Sequence, residues 1–123
     1  MDRSRAEDFA RSWADAWNEH DIEALMGHFA DDVSWTSPVA GALVPASGGH
    51  IHGKAALRRY YETGLQKIPD LHFEILGLYV GVKSLVINYR NQRGALVNEV
   101  LIFGDDWLVR DGHGTYLSEP AIS

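Results

Sequence analysis

The sequence predicts an α+β domain, and three observations predict it. Apolar residues recur at helical spacing through the first half of the chain. The second half is made of runs of strand-forming residues broken by short glycine-containing turns. The length of 123 residues fits one domain, residues 1–123, with no linker, repeat or low-complexity tract to divide it. Helices first and a meander of strands afterwards set the helices on one side of an antiparallel sheet.

A first helix is predicted over residues 4–18. Ser4 and Glu7 have the S-x-x-E spacing of a capping box, and Phe9, Trp13 and Trp17 form one aromatic stripe, four residues apart. Asp21 is a good N-cap for a second helix, whose buried face is Ile22, Leu25, Met26 and Phe29. Asp31 and Asp32 end it, and residues 33–37 read as a short strand. Residues 38–49, with two Pro and three Gly, read as a loop. A third helix over 54–68 carries Leu57, Tyr61, Leu65 and Ile68 on its inner face, and Pro69 stops it. Strands follow over 71–80, 85–91, 95–103 and 108–116. Their turns are Gly81-Val82-Lys83, Arg93-Gly94 and Gly104-Asp105-Asp106.

Composition removes several function classes. The net charge of −6 argues against nucleic acid or an acidic membrane surface as partner. With no Cys there is no disulfide, no thiolate nucleophile and no Cys-based metal site. Residues 1–5 lack the apolar stretch of a secretory signal, and no apolar run approaches the ~20 residues of a membrane helix. The expected location is the cytoplasm.

Residues 16–25, AWNEHDIEAL, then 29–33, FADDV, and 51–61, IHGKAALRRYY, resemble SnoaL-like and ketosteroid-isomerase-like proteins of the nuclear transport factor 2-like superfamily. The order of elements matches over nearly the whole chain. The resemblance implies a cone: a curved antiparallel sheet packed on three N-terminal helices around a central pocket, the cystatin-like α+β barrel. It implies no single activity, because the fold hosts isomerases, cyclases, dehydratases, epoxide hydrolases and binders. Ketosteroid isomerases have a general-base Asp before the Pro that ends the first strand; here Ser37 precedes Pro38. Their donor Tyr on the first helix is Trp13 here, and their protonated Asp two residues before a Phe is Leu101. That chemistry is therefore not expected.

Other motifs carry little. Residues 48–54, GGHIHGK, have phosphate-loop spacing, but Ala55 replaces the Mg²⁺-binding hydroxyl, and no buried strand precedes them. His50 and His52 could pair on a metal, but no third ligand stands at recognisable spacing; His20, His28, His72 and His113 are scattered. No metal, nucleotide or cofactor is expected. No Ser sits in a nucleophile elbow, and Arg58-Arg59 reads as a solvated helix turn.

The hairpin carries the sharpest clue. A two-residue Arg93-Gly94 turn sets Asn88 opposite Glu99 and Val86 opposite Leu101. One face then holds Val86, Asn88, Arg90, Val97, Glu99, Leu101 and Phe103. The other holds Leu85, Ile87, Tyr89, Leu96, Asn98, Val100 and Ile102. The resemblance turns the first face inward, whereas composition alone favours the second; cover of the second face by another subunit would reconcile them. A one-residue slip would reverse the assignment. The expected catalytic set is Glu99 for proton transfer, Asn88 to orient it and Tyr116 as donor. The expected ligand contacts are Trp13, Trp17, Phe29, Ser37, Tyr60, Tyr61, Val86 and Leu101. The partners expected are a small apolar or aromatic molecule and a second copy of the chain on the outer sheet face. The enzymatic reading is a cofactor-independent isomerase, cyclase or dehydratase. The alternative is a non-catalytic ligand-binding or assembly module, in which Glu99 is satisfied by Asn88 or Arg90.

Overall fold

The computed structural model describes residues 1–118. Helix α1 spans Arg3–Asn18 and is capped by Asp2, whose carboxylate accepts the Arg5 amide at 2.8 Å. The helix therefore starts one residue ahead of the Ser4 capping box. Its buried stripe includes Ala6, Ala10, Trp13 and Trp17. Helix α2, Ile22–Met26, is capped by Asp21 as predicted, with Oδ1 accepting the Ala24 amide at 3.1 Å. Phe29 does not belong to it. That residue opens β1, Phe29–Thr36, because the chain leaves the helix at Gly27 and Phe29 pairs with Val109.

The segment predicted as loop contains a short helix, α3, Pro38–Leu43, and a 3-10 turn, Pro45–Ser47. Ser37 caps α3, its Oγ accepting the Val39 amide at 3.1 Å, and Pro38 occupies the first turn, where its missing N–H costs nothing. Strand β2, His50–His52, precedes helix α4, Lys54–Lys67. Strands β3 (Glu74–Val80), β4 (Ser84–Arg90), β5 (Leu96–Phe103) and β6 (Val109–Tyr116) complete the fold. The sheet order is β2-β1-β6-β5-β4-β3, antiparallel except for the β1–β6 pair. The curved sheet wraps the helices as the predicted α+β cone does, with α3 an additional helix at its rim.

The β4–β5 register differs from the predicted one by one residue. Glu99 pairs with Ile87, Asn88 with Asn98, and Leu85 with Leu101. The connection is longer than two residues. The Asn91 amide bonds Ala95, and Asn91 Oδ1 accepts the Arg93 and Ala95 amides at 2.9 and 3.0 Å. Gly94 takes φ of 80°, which a side chain would strain. The inner face is therefore Leu85, Ile87 and Tyr89 from β4 with Val97, Glu99, Leu101 and Phe103 from β5, all buried. Val86, Asn88 and Arg90 lie on the outer face beside Asn98, Val100 and Ile102.

One contact ties the first helix to the chain ahead of β3. The Asn18 side chain donates to the Phe73 carbonyl at 3.0 Å and accepts the Phe73 amide at 2.8 Å. A His20 ring nitrogen lies 3.1 Å from the Leu71 carbonyl. This clamp fixes residues 71–73, so Phe73 stacks on Trp13 at 5.6 Å and packs on Tyr89 at 4.3 Å.

Candidate functional site

The cone encloses a cavity of about 790 Å³. Trp17 of α1, Trp35 of β1 and Tyr60 and Tyr61 of α4 form walls, with Phe73 and Tyr89 beside them. Ser37, Glu99 and Tyr116 supply polar groups from β5, β6 and the end of β1. Pro38, Val39 and Leu43 of α3 and residues 91–95 also border it.

Glu99 is 4% exposed and has no hydrogen-bond or ion-pair partner among the described residues. Burial in apolar surroundings disfavours the charged carboxylate and pushes its pKa up to about 8. Four phenols surround it. Burial raises Tyr61 and Tyr89 well above the ordinary tyrosine range, and the Glu99 charge adds to the rise in both. Tyr116 is pushed up to about 12 by burial and by Glu99, and drawn back by the Ser37 hydroxyl. Tyr60 is raised by burial and likewise drawn back by Ser37. Ser37, Tyr60 and Tyr116 therefore gather three hydroxyls on the same side of the cavity.

Two glycines of β6 shape this site. A Cβ on Gly112 would lie 2.1 Å from the Trp35 ring, so only glycine lets Trp35 lie flat against β6. A Cβ on Gly114 would lie 3.2 Å from Ser37 Oγ and 3.4 Å from Glu99 Oε1. The backbone of Gly114 is ordinary strand and demands no glycine. Its missing side chain lets the Ser37 hydroxyl and the Glu99 carboxyl both approach the β6 backbone more closely than a Cβ would comfortably allow.

Several cavity residues hold polar atoms buried without a partner: Trp17 Nε1, Trp35 Nε1, the Tyr61 hydroxyl and Gln92 Oε1. Buried polar atoms normally find partners. Their concentration around one cavity marks it as the place where an additional molecule would satisfy them.

A SnoaL-like domain family model matches residues 10–112, which is most of the chain. The chain belongs to the SnoaL-like family. A SnoaL-like protein of unknown function from Burkholderia thailandensis E264 is 36% identical; the match covers 96% of this chain and 99% of that one, with a TM-score of 0.89. A candidate polyketide cyclase from Sinorhizobium meliloti, 14% identical, matches 94% of this chain and all of its own, with a TM-score of 0.75. TerC, co-crystallized with polyporic acid, is 13% identical over 91% of each chain, with a TM-score of 0.74. The last two show likeness of fold. No curated protein matches the chain.

In this SnoaL-like chain the cavity brings together Glu99, Tyr116, Trp17, Ser37, Tyr60 and Tyr61. The other predicted residues lie elsewhere. Asn88 is on the outer face, donating to Asn98 Oδ1 at 2.9 Å and to the Val97 carbonyl at 3.3 Å, so it cannot orient Glu99. Val86 faces outward by the same register shift. Trp13, Phe29 and Leu101 point inward but sit in the packed core, at most 1% exposed and outside the cavity lining. Trp13 is covered by Phe73 and Tyr89, and Phe29 by Trp35 and Tyr61. Tyr89, Trp35, Phe73 and Gln92 were not predicted. Tyr89 was hidden by the register, while Trp35 alternates correctly with Val33 and was legible as an inward strand residue.

The histidines lie apart from the cavity. His50 Nε2 is 2.8 Å from Ser34 Oγ, and His113 Nδ1 is 2.6 Å from Thr36 Oγ1. Among the described residues no three His, Asp or Glu side chains group as a metal site, and no helix is long and apolar enough to cross a membrane.

Proposed function

We propose that the protein binds a small, mostly apolar or aromatic carbonyl compound in the cavity and moves a proton on it with Glu99, as a cofactor-independent isomerase, cyclase or dehydratase. The observation that carries this reading is the buried, partnerless carboxyl facing the cavity. With a pKa of about 8, both protonation states are accessible near neutrality, which suits a general acid or base. The carboxylate takes a proton from a carbon next to the carbonyl, and the electron pair passes to the carbonyl oxygen. Tyr116, with Ser37 and Tyr60, donates hydrogen bonds to that oxygen. Glu99 then returns the proton to the same or a conjugated carbon.

The test is deuterium incorporation into β-tetralone in D₂O, followed by proton NMR. Wild type should exchange the acidic C–H faster than buffer, and Glu99→Gln should lose the acceleration while binding the ketone. Binding without acceleration in wild type would favour the non-catalytic ligand-binding module instead.

In this reading the protein works as a cytoplasmic homodimer joined through the outer sheet face. That face carries Val86, Val100, Ile102 and Tyr79, the last 67% exposed, around the Asn88–Asn98 bond. A second copy of the chain would cover these apolar side chains. Sedimentation at micromolar concentration should give twice the chain mass; a monomer would refute it.

A further inference from the structure

The cavity lining contains two side chains of ordinary acid–base charge, and they differ in depth. Glu99 is buried inside, while Arg93 stands exposed on the 91–95 loop that borders the cavity. Arg93 makes no ion pair, and its side chain has no hydrogen-bond partner, among the described residues. Beside it, Gln92 holds its buried side-chain oxygen without a partner. On the β6 side, the Ser37 hydroxyl and the Glu99 carboxyl both line the cavity and both close on Gly114, so a Cβ there would touch the two of them.

We propose that the natural ligand is an apolar-bodied carboxylate with an uncharged oxygen at its far end. The carboxylate pairs with Arg93 at the mouth, and the hydroxyl or carbonyl oxygen sits against the Ser37 hydroxyl and the Glu99 carboxyl. This rests on the cavity reading above and names the substrate class it takes. Electrostatics sets the orientation. An anion beside Glu99 would be desolvated with no cation to meet it, whereas at the mouth it keeps water and gains a guanidinium. A hydroxyl between Ser37 and Glu99 can accept from Ser37 and either donate to the ionised carboxylate or accept from the protonated one, whereas a carbonyl oxygen there accepts from Ser37 and from protonated Glu99.

The test uses three probes by titration calorimetry: a hydroxynaphthoic acid, its neutral carboxamide, and naphthoic acid without the hydroxyl. Wild type should bind the hydroxy acid roughly three- to tenfold more tightly than the amide at low salt, the range of a half-exposed to well-formed Arg–carboxylate pair. Arg93→Gln should erase that preference, while Arg90→Gln, on the outer face, should keep it. Gly114→Ala, which needs no backbone change, should erase the advantage of the hydroxyl while leaving the acid preference. Equal affinity of acid and amide in wild type, or an acid preference that survives Arg93→Gln, would overturn the proposal and leave the cavity reading standing. Binding of none of the three probes would overturn both.

Discussion

Replacing Glu99 by Gln turns the isolation of this carboxyl into a measurable slope. Burial alone raises its pKa from 4.5 to about 8. An unfolded chain releases this proton near 4.5, so between the two values the folded protein holds a proton that the unfolded chain has lost. Stability then falls as pH rises through that window. At about 1.4 kcal/mol per unit, moving from about pH 5 to about pH 8 removes roughly 3–4 kcal/mol from the wild type through this group. Glutamine has the same shape and never ionises. The difference in unfolding free energy, wild type minus Glu99→Gln, should drop by that amount over the same range.

Urea unfolding followed by tryptophan fluorescence, at one protein concentration and several pH values, measures this difference. His28 pulls the other way: burial lowers its pKa, so its contribution weakens as pH falls. It is common to both proteins and cancels in the subtraction. A difference that stays flat within about 1 kcal/mol would refute the reasoning, as would one that grows with pH. Either would mean that the carboxylate is ionised and satisfied at neutrality, and so is no candidate acid or base.

Three further outcomes follow from the packing. Trp13→Ala should cost about 3–5 kcal/mol in urea unfolding, since the indole is fully buried between Phe73 and Tyr89. Gly112→Ala should cost about 1–3 kcal/mol by forcing Trp35 off β6, and near-ultraviolet circular dichroism should show the displaced indole. Asn88→Ala should cost about 1 kcal/mol for its cross-strand bond while leaving the Glu99 carbon-13 titration unchanged, because it lies on the opposite face of the sheet.

Much of the fold was legible because helices write their period into the chain. The Trp13–Trp17 spacing, the Asp21 cap and the Pro69 stop each mark α1, α2 and α4 by a local rule. Helix α3 escaped because its glycine and flanking prolines read as loop, although Ser37-Pro38 is itself a helix-start signal. Phe29 was misplaced because a five-residue helix and the strand after it share one apolar run, and the pairing partner that decides between them, Val109, is eighty residues away. The sheet faces turned on the 91–95 loop. Both signals were right on one strand each: composition for Leu85, Ile87 and Tyr89, resemblance for Val97, Glu99 and Leu101. They conflicted only because Asn91 side-chain bonds make a longer connection than the Arg93-Gly94 pair suggests. One residue of slip moved Asn88 from the cavity to the outer face and Tyr89 in the opposite direction.

That exchange bears on the chemistry. With Asn88 inside, Glu99 would have a neutral partner and a structural reason to exist. With Tyr89 there instead, the carboxyl faces phenols of high pKa and indoles whose N–H groups point to nothing. At pH 7 holding this carboxyl protonated, when the unfolded chain has released the proton, costs the fold on the order of 3 kcal/mol, a large share of the roughly 5–15 kcal/mol that holds a domain folded. A leucine or glutamine at position 99 would remove that cost, and no contact within the described residues repays it. Gly114, in mid-strand with no conformational need to be glycine, lets the carboxyl and the Ser37 hydroxyl close on the β6 backbone at a further small loss of strand stability. Two local sacrifices that meet at one cavity are what a site for an outside molecule requires.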